Sequence, residues 1–308
     1  MITRKLMATA AALVVVTVPL SARQAQARTL SSAISVMSWN VCAGTNPGCF
    51  FYGRNMREVA VQVGRYATTQ PIKPDVIFLQ EFCSGGTATL ESLLEQQTRR
   101  AWTVRSSILT LKDGSPKVCA PDRQGFSRGD IAVTVAVADN AVTFQAHGLT
   151  SPPWYAKRMA LCAAIPAKRV NVCGTHLSSG LSYDDREPGA PFRTKQVGEL
   201  LAAAARPGYR AVFGGDLNLA PPDSGQSTAA KRRILAPVYA AYAECDQNGG
   251  RDGRWTEKHV REDGGVVKRK LDYLFAPRGS VTRCHVAQDA ASSDHKPIYV
   301  KVDLGYRG

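Results

Sequence analysis

Past residue 20, no apolar run in this 308-residue chain is long enough to span a bilayer, which argues against any later membrane-crossing helix. No internal repeat and no low-complexity linker is present, and both absences favour one domain over two. The cysteines form no C-x-x-C pair and no Cys/His cluster with ligand spacing, which argues against zinc. Acids are scarce beside bases: 25 Asp and Glu against 39 Lys and Arg leave a formal charge of +14. The hydrophobic content of 44% is ordinary for a globular protein, so disorder and coiled coil are set aside.

What is present begins with an export signal at residues 1–27. Arg4 and Lys5 form a basic start, residues 6–20 are apolar, and Ala25-Gln26-Ala27 offers a small-residue cleavage site. The second arginine of a twin-arginine signal is missing, so general secretion of a released, soluble protein is expected. Cleavage removes Arg4, Lys5 and Arg23 but no acid, and 14 minus 3 leaves +11. A basic exported protein is drawn to polyanions, because neutralising phosphates releases their counterions.

Eight cysteines, an even number, all lie beyond the signal, which points to disulfides. Residues 161–165 and 170–173 flank a turn at 166–169, and folding about its middle sets Cys162 opposite Cys173 at bridging distance. Cys42 with Cys49 follows from proximity. Cys83 with Cys119 and Cys245 with Cys284 are the hypothesised remainder.

Apolar periodicity divides the rest into elements. A β-like run at 33–39 stops at Asn40, and Met56, Val59, Ala60, Val63 and Tyr66 recur at helical spacing. Residues 76–79 form an apolar strand of the kind buried on both faces, stopping at Gln80-Glu81. Leu90, Leu93, Leu94 and Gln97 mark a second helix. Residues 102–144 read as β-rich, with a polar loop at 113–129 and a strand at 131–137. A loop at 148–158 precedes the cysteine hairpin, which ends at His176; a polar loop at 178–191 leads to a helix marked by Val197, Leu200, Leu201 and Ala204. After the run 211–213 come a helical stretch interrupted by Pro237, a Gly- and charge-rich loop at 248–270, and strands at 271–275 and 298–303.

Polar residues gather at the strand ends. Gly214-Gly215-Asp216-Leu217-Asn218 presents Asp216 and Asn218 on one side of an extended backbone, where i and i+2 point together. Asn40, Glu81 and His176 likewise sit just past apolar runs, and Asp294-His295 precedes the last strand. In α/β sheets the crevice outside the strand ends is where ligands bind. Asp272 lies inside its strand, where an inward carboxylate needs a partner, and a histidine is the natural one.

Six segments carry a family likeness: Ser38-Trp39-Asn40-Val41, residues 75–81, Gly174-Thr175-His176-Leu177, Gly215-Asp216-Leu217-Asn218, residues 271–275 and residues 293–298. In this order they resemble the endonuclease/exonuclease/phosphatase superfamily, the metal-dependent DNase I-like fold, from residue 36 to 304. The resemblance implies an α/β, four-layer sandwich: two mixed β-sheets face to face, flanked by helices, in a domain spanning residues 28–308. It implies that Glu81, helped by Asn40 and Asp294, holds Mg²⁺ or Mn²⁺, with Ca²⁺ a further candidate, since hard cations prefer such oxygens. Asp216 and Asn218 would position and activate the attacking water. His295, polarised by Asp272, would act as base or bind phosphate as an imidazolium, and His176 would protonate or stabilise the leaving oxygen. Which histidine is acid and which base stays open.

DNase I-like members orient their second histidine with a carboxylate on a nearby strand, and residues 126–130 resemble that segment with the acid shifted by one. Asp130 is therefore the candidate partner of His176, with strand capping or pairing to Arg128 as alternatives. Lys157 and Arg158, beside Trp154 and Tyr155, are candidate substrate contacts that would grip a phosphate and stack a base or headgroup. Arg232, Arg233, Lys268, Arg269 and Lys270 would extend that patch, Lys168 and Arg169 read as solvated, and His147, His259 and His285 read as ordinary histidines. The expected function is a secreted, metal-dependent, monomeric nuclease acting on DNA and also RNA. The alternatives are a phosphatase or phospholipase C-like enzyme on inositol phosphates, phosphoinositides or sphingomyelin, and a non-catalytic binding protein or toxin subunit on the same scaffold.

Overall fold

The structure, a computed structural model, describes residues 33–305 apart from 227, 248, 249 and 262, so the export signal assigned to residues 1–27 lies outside the described residues. Strand β1 (Ala33–Asn40) is buried over nearly its whole length. Helix α1 (Met56–Thr69) starts where the Asn55 side chain accepts from the Glu58 amide, and it buries Met56, Val59, Ala60, Val63 and Tyr66, the residues at helical spacing. Strand β2 (Val76–Cys83) follows, then α2 (Thr87–Thr98), which buries Leu90, Leu93 and Leu94. Next come β3 (Thr103–Ile108), β4 (Ile131–Val137), β5 (Thr143–Leu149), β6 (Arg158–Ile165) and β7 (Val170–His176). Helix α3 (Pro191–Ala204) leads into β8 (Arg210–Asp216).

The remaining elements are α4 (Ala229–Arg233), α5 (Ala236–Ala241), β9 (Tyr242–Glu244), β10 (Glu257–Val260), β11 (Val266–Arg269), β12 (Asp272–Pro277), β13 (Val281–Val286) and β14 (Ile298–Asp303). Pro237 stands in the first turn of α5, where the missing N–H has no intrahelical partner to lose, so the helical break falls just before it. The segment 248–270, expected as a loop, contains the hairpin of β10 and β11. Its strands are mostly exposed and carry charged residues, which hid their alternation in the sequence.

Two six-stranded sheets, in the orders β13-β14-β1-β2-β4-β3 and β5-β6-β7-β8-β12-β9, build the body. Each is mixed: β1 runs parallel to β2 and β7 parallel to β8, and the other pairings are antiparallel. Their inner faces share one core, in which Val36, Phe78 and Val135 meet Leu161, Val172, Val212 and Leu274. Close approach of the sheets explains Gly174, since a Cβ there would lie 2.8 Å from the Phe78 ring. Helices α1 and α2 cover the first sheet; Val197 and Leu200 of α3 and Tyr239 of α5 close a second core on the outer face of the other. This is the expected four-layer arrangement.

Every cysteine is bridged: Cys42 to Cys49, Cys83 to Cys119, Cys162 to Cys173 and Cys245 to Cys284. Cys162 and Cys173 face each other in the β6/β7 register, as the hairpin argument requires.

Candidate active site

The strand ends of both sheets open on one cavity of about 560 Å³, lined by Asn40, Glu81, His176, Asp216, Asn218, Asp294 and His295 among others. Register assembles its floor. His176 of β7 pairs with Asp216 of β8, and Asp216 pairs with Asp272 of β12, so three chemically active residues lie side by side on adjacent strands. The backbones crowd tightly here. A Cβ at Gly214 would lie 1.9 Å from the Tyr273 carbonyl oxygen, and at Gly215, with φ of +133°, 1.9 Å from that of Thr175.

Asp216 is the hub of the hydrogen-bonding arrangement. Its Oδ2 lies 3.1 Å from Asn40 Nδ2, 3.4 Å from His176 Nε2 and 3.7 Å from His295 Nε2, while its Oδ1 accepts from the Asn218 amide at 3.0 Å. His295 Nδ1 bonds Asp272 Oδ2 at 2.8 Å, so the histidine sought for the inward carboxylate comes from 23 residues away. Asn218 Nδ2 contacts His176 Nε2 and the Leu177 carbonyl, both at 3.2 Å.

Thr256 braces the pair from behind. Fully buried, its Oγ1 accepts from the Leu271 and Asp272 amides at 3.0 Å each, and its carbonyl accepts from the Lys296 amide at 2.7 Å. The Asp272 amide and the amide of Lys296, the residue after His295, thus hang from one residue at the root of β10. Nothing local in the sequence signals that role, because the partners are distant in the chain.

Burial and charge separate the two histidines. Burial, reinforced by the nearby Arg158, His295 and Lys117 cations, holds His176 well below the ordinary histidine range. Burial also opposes a charge on His295, yet the carboxylates of Asp272 and Asp216 and the bond to Asp272 carry it well above that range. Asp216 is raised to about 7, first by burial and then by Asp272, against the pull of His295 and Asn40. Two imidazoles shifted in opposite directions therefore flank one raised carboxyl group.

Glu81 reaches the cavity through a distortion. The strand β2, expected to stop at Gln80-Glu81, continues to Cys83 across a register shift between Leu79 and Phe82. Glu81 sits in that bulge with φ of +54°, a left-handed conformation that a non-glycine residue adopts at a cost of about 1–3 kcal/mol. Asn218, at +51°, is strained in the same way. Asn40 Nδ2 donates to Glu81 Oε1 at 3.3 Å as well as to Asp216, whereas its Oδ1 accepts from the Cys42 amide. Asn40 therefore enters as a donor bridging two acids, with its expected ligand oxygen engaged by the Cys42 amide.

The donor set fits a hard divalent cation. Glu81 is half-buried with the Asn40 amide as its described side-chain contact, and Asp294 lines the same cavity. Asp272 Oδ1 is buried and unbonded among the described residues, a further excess of negative oxygen.

Asp130 is not brought to His176. It precedes β4, where its amide donates to Ser84 Oγ and its carbonyl accepts from the Ser84 amide. The Arg128 alternative fails too, since that guanidinium bonds the carbonyls of Ala120, Phe51, Arg54 and Gly44. Of the four candidate substrate contacts, Tyr155 and Arg158 line the cavity. Arg158 is buried and bonds Asp184 at 2.6 Å; Trp154 donates to the Asp184 carbonyl and packs on Phe192, and Lys157 lines a separate groove. Lys270 is buried against Glu244 at 3.0 Å, away from any substrate patch. Lys117, Tyr183, Arg193, Lys231, His259 and Arg269 line the cavity as well. The sequence singled out only Arg269 of these, because the others come from loops (Lys117, Tyr183), from helices (Arg193 of α3, Lys231 of α4) and from the exposed strand β10 (His259), away from the strand ends that marked the site.

A family model described as Endonuclease/Exonuclease/phosphatase family matches residues 37–295. This chain belongs to that family. Its members hydrolyse phosphoester bonds, generally with divalent metal ions, and this protein is such a phosphoesterase. No curated protein matches the chain. The fold is similar to an endonuclease/exonuclease/phosphatase protein of Beutenbergia cavernae, at 18% identity and a TM-score of 0.59, covering 89% of this chain and 72% of that one. It is also similar to D. rerio TDP2 complexed with single strand DNA product, at 16% identity, TM-score 0.55, covering 88% and 98%. The human Nocturnin catalytic domain with bound sulfate anion is similar at 16% identity, TM-score 0.53, covering 88% and 94%.

Proposed function

We propose that this protein is a secreted, monomeric nuclease that hydrolyses phosphodiester bonds of DNA, and also of RNA, with Mg²⁺ or Mn²⁺ as its cofactor. The observation that carries the reading is Asp216 Oδ2, within 3.7 Å of both histidines at the base of a cavity whose walls also bear Lys117, Lys231 and Arg269. An acid–base centre among cations suits a polyanionic ester. The +11 charge left once residues 1–27 are removed, 14 minus 3, extends that attraction over the surface. The relative TDP2, complexed with single strand DNA product, lends the nucleic-acid reading further support. Export is supported by four disulfides, which persist in oxidising compartments.

In this reading Asp216, raised to about 7, takes the proton of the attacking water, which the Asn218 side orients. His295, kept cationic by Asp272 and Asp216, binds the phosphoryl oxygens where negative charge grows. His176, neutral and held by Asn218, stands beside the leaving oxygen, which keeps the electron pair of the broken bond to phosphorus and takes its proton from solvent water. A divalent cation held by Glu81 and Asp294 would neutralise the phosphoryl oxygens. The test is a parallel assay on plasmid DNA, inositol phosphates and sphingomyelin, with Mg²⁺ or with EDTA. DNA nicking abolished by EDTA and by His176→Ala is expected; phosphate or headgroup release without nicking would overturn the reading.

A further inference from the structure

The mouth of the cavity carries an aromatic surface that the proton chemistry does not use. Tyr183 is 52% exposed, and Leu181, equally exposed, stands two residues before it; both line the cavity. Tyr155 lies against Tyr183 with ring centroids 5.1 Å apart, and its hydroxyl accepts from Lys117 Nζ at 2.5 Å. Large side chains left open at the rim of a pocket mark a surface meant to be covered.

The loop that presents Tyr183 is pinned immediately behind it. Asp184 and Asp185 are buried: Asp184 Oδ2 accepts from Arg158 at 2.6 Å and from the Ser179 amide at 2.7 Å. Asp185 Oδ2 accepts from the Arg193 amide and Nε at 3.1 and 3.0 Å, and Arg193 also donates to the Asn218 carbonyl at 2.6 Å. The exposed ring thus stands on a braced support tied to the Asp216–Asn218 turn, and holding a ring in place before binding lowers the ordering cost of stacking on it.

Building on the nuclease reading above, we infer that Tyr183, backed by Tyr155, is a stacking shelf for one unpaired nucleobase next to the scissile phosphate. Each base offers a π-face, so such a shelf tolerates sequence while demanding a flat ring. The volume of about 560 Å³ is in the range that encloses a single small ligand, enough for one nucleotide. Lys117, fixed on Tyr155, supplies a cation for the adjoining phosphate. The preferred substrate is therefore single-stranded or frayed.

The experiment compares a single-stranded oligonucleotide, the same strand with one abasic residue beside the cleaved bond, and the blunt duplex, with 2-aminopurine fluorescence as a binding readout. The expected result is cleavage of the intact strand about tenfold faster than of the abasic one, and 2-aminopurine quenching on binding. Tyr183→Ala is expected to bring the intact-to-abasic ratio close to one and remove the quenching, and Tyr183→Phe to keep both. Cleavage of DNA with equal rates on intact and abasic strands would overturn the shelf while leaving the nuclease reading intact. Failure to cleave any DNA, with release from inositol phosphate or sphingomyelin, would overturn both.

Discussion

The two sheets meet at one cavity but bring different chemistry to it. The first ends in Asn40 and the bulged Glu81, groups that concentrate and bridge negative oxygen. The second aligns His176, Asp216 and Asp272 across three neighbouring strands, groups that hold and move protons. His295 joins them: it precedes β14 of the first sheet, with its carbonyl held by Trp39 of β1, while its ring bonds Asp272 of the second. The contrast teaches that neither sheet alone carries the site.

The sharpest test falls on the second sheet. Asp216→Asn keeps the size of the hub and removes its basicity, so kcat is expected to fall about 10³-fold, with the circular dichroism spectrum unchanged and substrate still bound. Retention of a tenth of the activity would break the assignment of proton chemistry to this sheet. Glu81→Gln probes the first. A loss of about 100-fold is expected, partly regained by raising the Mg²⁺ concentration, and a loss indifferent to metal would remove the cation from this side.

Thr256→Val tests the brace that aligns Asp272 with His295. Loss of its Oγ1 leaves two buried amides unpaired, and kcat should drop about tenfold with KM little moved, while Thr256→Ser retains most activity. Equal losses in the two variants would point to packing rather than alignment.

The disulfides separate the sheets in stability. Cys245–Cys284 joins the segment after β9 of the second sheet to β13 of the first and closes 39 residues, whereas Cys162–Cys173 lies within the second and closes 11. On chain entropy, 1.5RT ln(39/11), removing the longer bridge by paired Cys→Ala changes should cost about 1 kcal/mol more in urea unfolding. The reverse order would mean that the sheets hold together without this staple. The smallest effect is expected from Asp130→Asn, with the rate within twofold of the parent, because its backbone bonds Ser84 and its carboxylate does not reach His176. A tenfold loss would restore the expected His176 link.

Much of the fold was legible because the signals are local. Val76 to Leu79 announce a strand buried on both faces, and Met56, Val59, Ala60, Val63 and Tyr66 announce a helix by spacing alone. The exposed hairpin β10–β11 was not legible, since its charged strands have no buried face to enforce alternation. In the site, Asp272 with His295 could be foreseen because a buried carboxylate needs a partner of opposite tendency. The tie of Arg158 to Asp184 could not be foreseen: as a cation in a polar loop it suggested a phosphate contact, and it does line the cavity, but it is also buried against a carboxylate 26 residues away.

The sequence by itself determined which residue types stand at the strand ends and which cysteines face each other in a hairpin, because strand periodicity and the reach of a tight turn are properties of a few neighbouring residues. Only the tertiary structure decided how those ends are used. It folded Glu81 into a left-handed bulge, tied the Asn40 oxygen to the Cys42 amide, and shifted the two histidines in opposite directions from the ordinary range. Those outcomes depend on burial and on charges brought together across the two sheets, and such fields exist only once the sheets have closed on each other.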